Sequence, residues 1–316
     1  MKFSKKYLNT LIFLLFGGFL LWIAFKDLDL VAFKNSLKTI PFKWVFLSMF
    51  LGYSAFIFRA LRWRLLIKPN YITKKSDLIH AIAFGYLFNS FIPRSGELIR
   101  CTALNKVSDI PVSELFGHVL LERLIDFIIL GICIILVVAL NYNHFLLFSQ
   151  SFIFPTYLFF ILIILITSCI LIYKFQQFIF NEVILKKLKE FWTGIKNGFL
   201  SIKDIPNKYL FFFYTLSIWG CYLFMTIVCF YCFKETLQLS LAQGLFIMVA
   251  GGLGMVVPTP SGIGSYHYLV IKALTILGIS REIAQFFAII VHTSQAIMII
   301  ITGVIGMLFL YRRSYE

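Results

Sequence analysis

The stretch NSFIPRSGELIR, residues 89–100, interrupts an apolar segment with a proline, a glycine, two arginines and a glutamate. A second interruption, VPTPSGIGSYH at residues 257–267, is equally rich in proline and glycine but has no Asp, Glu, Lys or Arg. Each lies between two apolar arms that are short for crossing a bilayer, which takes about 20 residues. The arms cover about 78–91 and 97–106, then 241–257 and 265–277. We therefore predict two broken helical hairpins inside a membrane.

The rest of the chain supports a membrane setting. Of its 316 residues 60% are hydrophobic and only 14% are charged, whereas soluble domains average about 25% charged residues. The predicted fold class is an all-α polytopic membrane protein with six transmembrane helices plus two re-entrant hairpins, or eight spans if the hairpins cross fully. The six helices are expected at about 7–25, 44–61, 115–140, 156–173, 209–233 and 282–310.

The basic residues predict the topology. The net charge is +15, but no basic module of domain length is present, so we expect membrane lipids and no nucleic acid as partners. With the N-terminus inside, the cytoplasmic loops hold 18 lysines and arginines against 6 outside. This bias predicts that both termini are cytoplasmic. The basic start precedes an apolar run without a small-residue cleavage site, which favours a retained helix over a signal peptide.

The order of elements occurs twice. Each half reads as helix, amphipathic connector, helix, broken hairpin and helix, with the connectors at 26–43 and 175–208. The first half starts inside and the second outside, as in the inverted repeats of many transporters. We predict one integral membrane domain, 1–316, with repeat halves 1–140 and 155–313 joined by an outside loop, 141–154. The alternative is that two glycine- and proline-rich breaks coincide by chance.

The first break contains candidate ligands for an anionic lipid head group. A guanidinium stays charged and binds phosphate through two parallel hydrogen bonds, so Arg94, Arg100 and Arg123 are the expected head-group ligands. Ser95 and Gly96 would open the second arm, where a serine can cap the helix and free N–H groups favour an anion. The alternative is that these charges merely reach the membrane interface.

The next helix contains HVLLERLIDF, residues 118–127. His118, Glu122 and Asp126 are spaced i, i+4, i+8 and so share one helix face. We predict that Glu122 and Asp126 pair with Arg94 or Arg100, and Arg123 with Glu97, because charges inside a membrane need partners. Glu97, Glu122, Asp126 and His118 would balance charge or carry protons. The alternative is a packed structural network that joins hairpin to helix.

The second break is polar without charge. Its candidate groups, together with two on the following helix, are Pro258, Pro260, Ser261, Gly262, Gly264, His267, His292 and Gln295. Glycines there also permit close helix packing, which is the alternative reading. Cys229 and Cys232 match a CxxC motif by spacing alone, inside an apolar helix, so we expect neither a metal nor another cofactor.

An enzyme is the less favoured class. Ser261 with His267 or His292 would resemble an intramembrane hydrolase, but a serine nucleophile needs a base within hydrogen-bond reach. The flanking motifs of intramembrane serine proteases and lipid phosphatases are missing. We therefore expect a protein that is not an enzyme, with an intramembrane hydrolase as a minor alternative.

Three motifs in order, NSFIPRSGELIR, LLERLIDF and VPTPSGIGSYH, resemble the lysylphosphatidylglycerol synthase transmembrane-region family, which is also described as flippase-like. The resemblance covers most of the chain. It implies movement of an anionic phospholipid or lipid-linked substrate between leaflets of a bacterial inner membrane, through a polar cavity between the hairpins.

Two features depart from the family pattern. Members often have an acidic residue just after the second break, where this chain has Ser265, Tyr266 and His267. The synthases also carry an aminoacyl-transferase domain after the membrane region, whereas this sequence stops at Glu316, so we expect no synthesis of aminoacylated lipid. A non-transporting subunit that scaffolds a lipid- or envelope-synthesis enzyme is the alternative, and no protein partner is predicted.

Overall fold

The computed structural model describes residues 5–150, residue 167 and residues 182–313, and all regular structure within them is helical. The predicted all-α polytopic class is confirmed. The helices are α1 (Lys5–Phe25), α2 (Leu30–Thr39), α3 (Phe42–Arg64), α4 (Lys75–Asn89), α5 (Gly96–Ser108), α6 (Val112–Leu140), α7 (Tyr142–Ser149), α8 (Glu182–Leu200), α9 (Lys208–Val228), α10 (Leu241–Val256), α11 (Ser265–Ile276) and α12 (Arg281–Arg313).

Four of the described helices are long and apolar enough to cross a membrane: α3, α6, α9 with its 3-10 extension to Cys232, and α12. They match four of the six predicted spans. The 21-residue α1 covers the predicted first span. The predicted span at 156–173 lies outside the described residues.

The hairpin arms are shorter than these spans. The first hairpin pairs α4 with α5, of 15 and 13 residues, and the second pairs α10 with α11, of 16 and 12 residues. At 1.5 Å per residue the longest arm covers about 24 Å, which is less than the roughly 30 Å of a bilayer's hydrocarbon core. The arms therefore have the length of helices that turn back within the membrane.

Each hairpin closes through small residues and a few polar side chains. In the first, the side chain of Asn89 accepts a hydrogen bond from the Gly96 N–H at 2.7 Å, which caps α5. The carbonyl of Gly85 lies where a Cβ at Gly96 would be, so α4 and α5 touch through their backbones. In the second, the hydroxyls of Thr259 and Ser265 are 2.9 Å apart. The sequence breaks thus become closed turns.

The two halves pack against each other in a reciprocal way. Helix α3 lies along α9, α4 of the first hairpin packs on α12, and α10 of the second hairpin packs on α6. The division into inverted repeats stays a prediction. One local difference is clear: the predicted outside loop 141–154 begins with α7, which packs on α6 and α11.

Helix α8 occupies the middle of the lysine-rich connector that the sequence predicts to be amphipathic. It packs closely on α6, because a Cβ at Gly117 would meet the Ile195 carbonyl and one at Gly198 would meet the Glu114 carbonyl. Phe191 and Trp192 of the same helix are exposed. The helix is therefore held to α6 by its glycines while it presents aromatic side chains outward.

Candidate functional site

Two arginines of α3 bind one carboxylate of α6. Arg59 and Arg62 each donate a hydrogen bond to Asp126, with nitrogen–oxygen distances of 2.9 Å to its two oxygens. Asp126 lies midway along α6, 14 residues from either end. Arg59 also donates to the hydroxyl of Tyr222 on α9, at 3.0 Å. One carboxylate thus links α3 to α6 deep in the apolar part of the protein.

Glu122, one turn before Asp126, is fully buried and bridges Arg62 and a further arginine, Arg100. Its Oε2 is 2.5 Å from Arg100 Nη2 on α5, and its Oε1 is 3.6 Å from Arg62 Nε. The guanidinium of Arg100 lies 4.6 Å from the ring centre of Trp63, which is a cation–π contact. Glu122 therefore joins the first hairpin to both α3 and α6.

The opposite side of the network opens toward lipid. The Arg123 side chain is 39% exposed and pairs with Glu97 of α5 at 3.6 Å, and with Asp126 at 3.7 Å. Its neighbours Leu124 and Phe127 are exposed apolar residues, as is Leu98 beside Glu97. We name Arg59, Arg62, Arg100, Arg123, Glu97, Glu122 and Asp126 the α6 network.

The α6 network has four guanidinium groups and three carboxylates, so one positive charge is uncompensated within it. Burying ions costs several kcal/mol each, which their mutual attraction offsets only when geometry and further hydrogen bonds are good. Each carboxylate here has at least one arginine partner, and Arg123 is the member that lies closest to the surface. The surplus charge favours an anionic group at that end.

The structure confirms two of the predicted ion pairs, Arg100 with Glu122 and Arg123 with Glu97. Of the two arginines predicted for Glu122 and Asp126, Arg94 pairs with neither carboxylate, and the predicted partner of Asp126 is wrong, because it pairs with Arg59, Arg62 and Arg123 instead. Arg94 is exposed at the tip of the first hairpin, has φ 64°, and donates to the carbonyl of Val256 at the end of α10. Its left-handed backbone directs the side chain to the second hairpin.

Sequence reasoning missed Arg59 and Arg62. It placed the end of the second span near residue 61 and counted Arg62 as a cytoplasmic loop residue, but α3 continues to Arg64 and buries both arginines. Their i, i+3 spacing on one helix face was the available signal. Ser95 also differs from expectation, because its hydroxyl donates to the Ile92 carbonyl at 2.8 Å and Asn89 caps α5 instead.

The two hairpin tips touch each other. The hydroxyls of Ser90 and Ser261 are 2.8 Å apart, and Arg94 reaches the Val256 carbonyl. His292 Nε2 of α12 lies 2.9 Å from the carbonyl oxygen of Ser261, which has φ 48°. The predicted polar passage between the hairpins is therefore closed at these tips.

The remaining predicted residues of the second hairpin form a separate polar group. The rings of His267 and His292 have centres 4.5 Å apart. Gln295 donates to the hydroxyl of Ser48 at 3.0 Å. Gly262 and Gly264 have φ values of 73° and 86° in the turn, where Pro260 is buried and Pro258 precedes it.

The contact of His292 with Ser261 is to the carbonyl oxygen of the serine. A serine nucleophile needs a base at its hydroxyl instead.

These features define a class: a polytopic helical membrane domain with two broken hairpins and a buried arginine–carboxylate network. The chain matches the family described as lysylphosphatidylglycerol synthase TM region over residues 10–303, and it belongs to that family. The predicted family is confirmed.

A curated relative is similar along nearly its whole length. It is the UPF0104 membrane protein MJ1595 of Methanocaldococcus jannaschii, 23% identical over an alignment 338 positions long, which covers 98% of this chain and 96% of that protein. No solved structure matches this chain.

Proposed function

We propose that this protein moves an anionic phospholipid or lipid-linked molecule between the two leaflets of a bacterial inner membrane, with both termini in the cytoplasm. It acts as a transporter and not as an enzyme. The observation that carries the proposal is the α6 network. It has surplus positive charge, and its Arg123–Glu97 end is open to the lipid-facing surface.

The network supports a head-group site for a physical reason. Arg123 is partly exposed and shares its two carboxylate partners at 3.6 and 3.7 Å, distances longer than those of strong charge-assisted hydrogen bonds, which are about 2.7–2.9 Å. A phosphate would supply shorter bonds to the same guanidinium. The exposed Leu124 and Phe127 nearby would contact acyl chains.

The closed hairpin tips fit one state of an alternating cycle. In transporters with broken helices, one half of the fold moves against the other around a central site. Here Ser90, Arg94 and Ser261 connect the halves across the tips. Separation of these contacts would open a path for the head group, while the acyl chains stay in lipid.

Leaflet exchange in proteoliposomes tests the proposal. Labelled phosphatidylglycerol in the inner leaflet should become accessible to an external quencher faster with the protein than without it, and labelled phosphatidylcholine should not. Arg123→Gln should reduce the rate by roughly tenfold, the effect of losing about 1.4 kcal/mol of binding. Arg281→Gln is the matched control, because Arg281 forms an exposed ion pair with Asp27 at 3.6 Å, away from the network.

The scaffold alternative has one observation in its favour. Arg62, Arg100 and Glu122 are packed with at most 4% of each side chain exposed, as expected of a structural network. A scaffold would show background exchange for wild type and Arg123→Gln with every lipid, together with a stably copurifying enzyme. That result would reject the transport proposal.

A further inference from the structure

The buried face of α6 carries a line of titratable residues that begins before the α6 network. Glu114, His118, Glu122 and Asp126 recur every four residues and are all buried. Side chains spaced i, i+4 on a helix have Cβ atoms roughly 5–6 Å apart. Their polar atoms can therefore meet directly or through one water molecule. The line runs from the first turn of α6 to its middle.

The first member of this line borders water. Glu114 lines a cavity of about 570 Å³ between the start of α6 and α8, together with Ser113, Lys189 and Asn197. Its carboxylate pairs at 3.2 Å with Lys68, whose side chain is 45% exposed. Bulk solvent thus reaches the start of the line on the side that the positive charges assign to the cytoplasm.

His118 is the member that the α6 network does not explain. It is 1% exposed, and within the described part of the chain neither of its ring nitrogens has a hydrogen-bond partner. A buried polar group left unpaired costs about 1–3 kcal/mol. An imidazole between two carboxylates at i−4 and i+4 is a chemically suitable proton relay, because one nitrogen can accept a proton while the other donates.

We propose that Glu114, His118 and Glu122 form a proton pathway from the cytoplasmic cavity to the α6 network, and that proton uptake regulates head-group binding there. This inference rests on the proposed transport function. A proton from water binds the Glu114 carboxylate and passes to one ring nitrogen of His118. The other nitrogen then releases a proton to Glu122, which leaves His118 neutral and makes Glu122 a neutral carboxylic acid.

Protonation of Glu122 has a defined electrostatic consequence. Arg100 loses its anionic partner at 2.5 Å, and Arg62 loses one partner at 3.6 Å but keeps Asp126 at 2.9 Å. The surplus positive charge of the network rises from one to two. An anionic head group can then take the place of the lost carboxylate charge. Binding of the lipid and of the proton therefore favour each other.

The charged and titratable groups around the line come from several neighbouring elements. They are Arg59 and Arg62 of α3, Lys68 and Tyr71 after it, Tyr86 of α4, Glu97 and Arg100 of α5, Lys186, Lys189 and Glu190 of α8, and Tyr222 of α9. Helix α10, which also packs on α6, contributes no charged residue. The arginines nearest Glu122 are the groups that an anionic head group would contact when the carboxylate is protonated.

The test uses the full chain in proteoliposomes with a trapped pH-sensitive dye and labelled phosphatidylglycerol. An imposed pH gradient should drive dye-reported proton movement that depends on the labelled lipid, and lipid exchange should accelerate with it. His118→Gln should slow the proton movement on the order of 100-fold, the usual contribution of a positioned proton-transfer group. His144→Gln on α7 is the matched control and should behave as wild type.

The outcomes separate this inference from the transport proposal. Lipid exchange by wild type that is indifferent to the pH gradient, with no dye response, would overturn the proton pathway and leave transport standing. If folded wild-type protein shows neither lipid exchange nor a dye response, the proton pathway and the transport proposal are both overturned. If His118→Gln does not fold, as judged by size-exclusion chromatography, the response of the wild-type protein to the pH gradient decides. Glu114→Gln then provides a second variant, for which we expect the same slowing of proton movement.

Discussion

Arg100 of α5 and Glu122 of α6 form an ion pair of 2.5 Å in which the arginine side chain is 4% exposed and the carboxylate is fully buried. The pair fixes the returning arm of the first hairpin to α6, the helix that carries Glu122, Arg123 and Asp126 of the network. The second oxygen of the same carboxylate lies 3.6 Å from Nε of Arg62, so Glu122 is close to two guanidinium groups.

Glu122→Ala should therefore be strongly destabilising. Removal of one partner from a buried ion pair costs about 3–5 kcal/mol, because the remaining charges stay buried without compensation. Thermal unfolding in detergent should show a clear drop in midpoint. Glu235→Ala, an exposed carboxylate in a 3-10 turn, should leave the midpoint unchanged.

The double variant Arg100→Leu, Glu122→Leu should recover part of that loss, because replacing both ions by apolar groups is often neutral. It should nevertheless remain inactive in leaflet exchange. A double variant as unstable as Glu122→Ala alone would show that the pair acts through contacts other than its charges.

The close contact of α6 with α8 predicts a contrast between two glycines of the same helix. A Cβ at Gly117 would collide with the Ile195 carbonyl, whereas one at Gly131 meets no described atom within 4 Å. Gly117→Ala should lower the unfolding midpoint, since rigid backbone must move apart. Gly131→Ala should raise it slightly, because alanine stabilises a helix interior by about 1 kcal/mol relative to glycine. Equal midpoints for the two variants would refute the close contact.

The hairpin tips can be locked by a disulfide. Ser90 and Ser261 have hydroxyl oxygens 2.8 Å apart, so cysteines at both positions place their sulfur atoms close enough to bond after small adjustment. Oxidation should stop lipid exchange by the double variant, and a reductant should restore it. Each single cysteine variant is the control and should be insensitive to oxidation. Undiminished exchange in the cross-linked protein would mean that the tips do not separate during transport.

Two variants of Arg94 distinguish the effect of its backbone conformation from the effect of its side chain at the tip of the first hairpin. Its φ of 64° is a conformation that glycine adopts without strain. Arg94→Gly should therefore fold at least as well as Arg94→Ala, while both lose the bond to the Val256 carbonyl. We expect the two variants to have similar lipid-exchange rates, which differ from the rate of the wild type. The alanine variant should have the lower unfolding midpoint. A higher midpoint for alanine would contradict the left-handed tip.

Some of this site could be predicted from sequence and some could not, for physical reasons. Proline and glycine mark the hairpin breaks directly, and the four-residue spacing of His118, Glu122 and Asp126 predicts their shared face. Arg59 and Arg62 are different. An arginine near the end of an apolar segment fits a cytoplasmic loop equally well. Only the packing of α3 on α9 and the hydrogen bonds of both arginines to Asp126 show that these two turn inward.

Arg94 shows a second limit. Its residue type and position suggest a partner in the next helix, yet a single left-handed backbone angle turns it toward the other hairpin. Similarly, Asn89 takes the capping role expected of Ser95, because the turn brings its side chain to the Gly96 N–H. Such choices depend on backbone geometry within the turn, and composition does not determine them.

The absence of charged residues between Thr236 and Ile271 has an electrical consequence. The first arm and the turn of the second hairpin have no formal Asp, Glu, Lys or Arg charge, and Lys272 of α11 is the one such residue in the hairpin. The α6 network, in contrast, holds an unbalanced positive charge near the middle of α6. Displacement of the network relative to the bilayer therefore moves net charge through the membrane potential. That work amounts to about 2.3 kcal/mol per elementary charge per 100 mV. A voltage that is negative on the cytoplasmic side favours displacement of this net positive charge toward that side, which would give the proposed transport a direction.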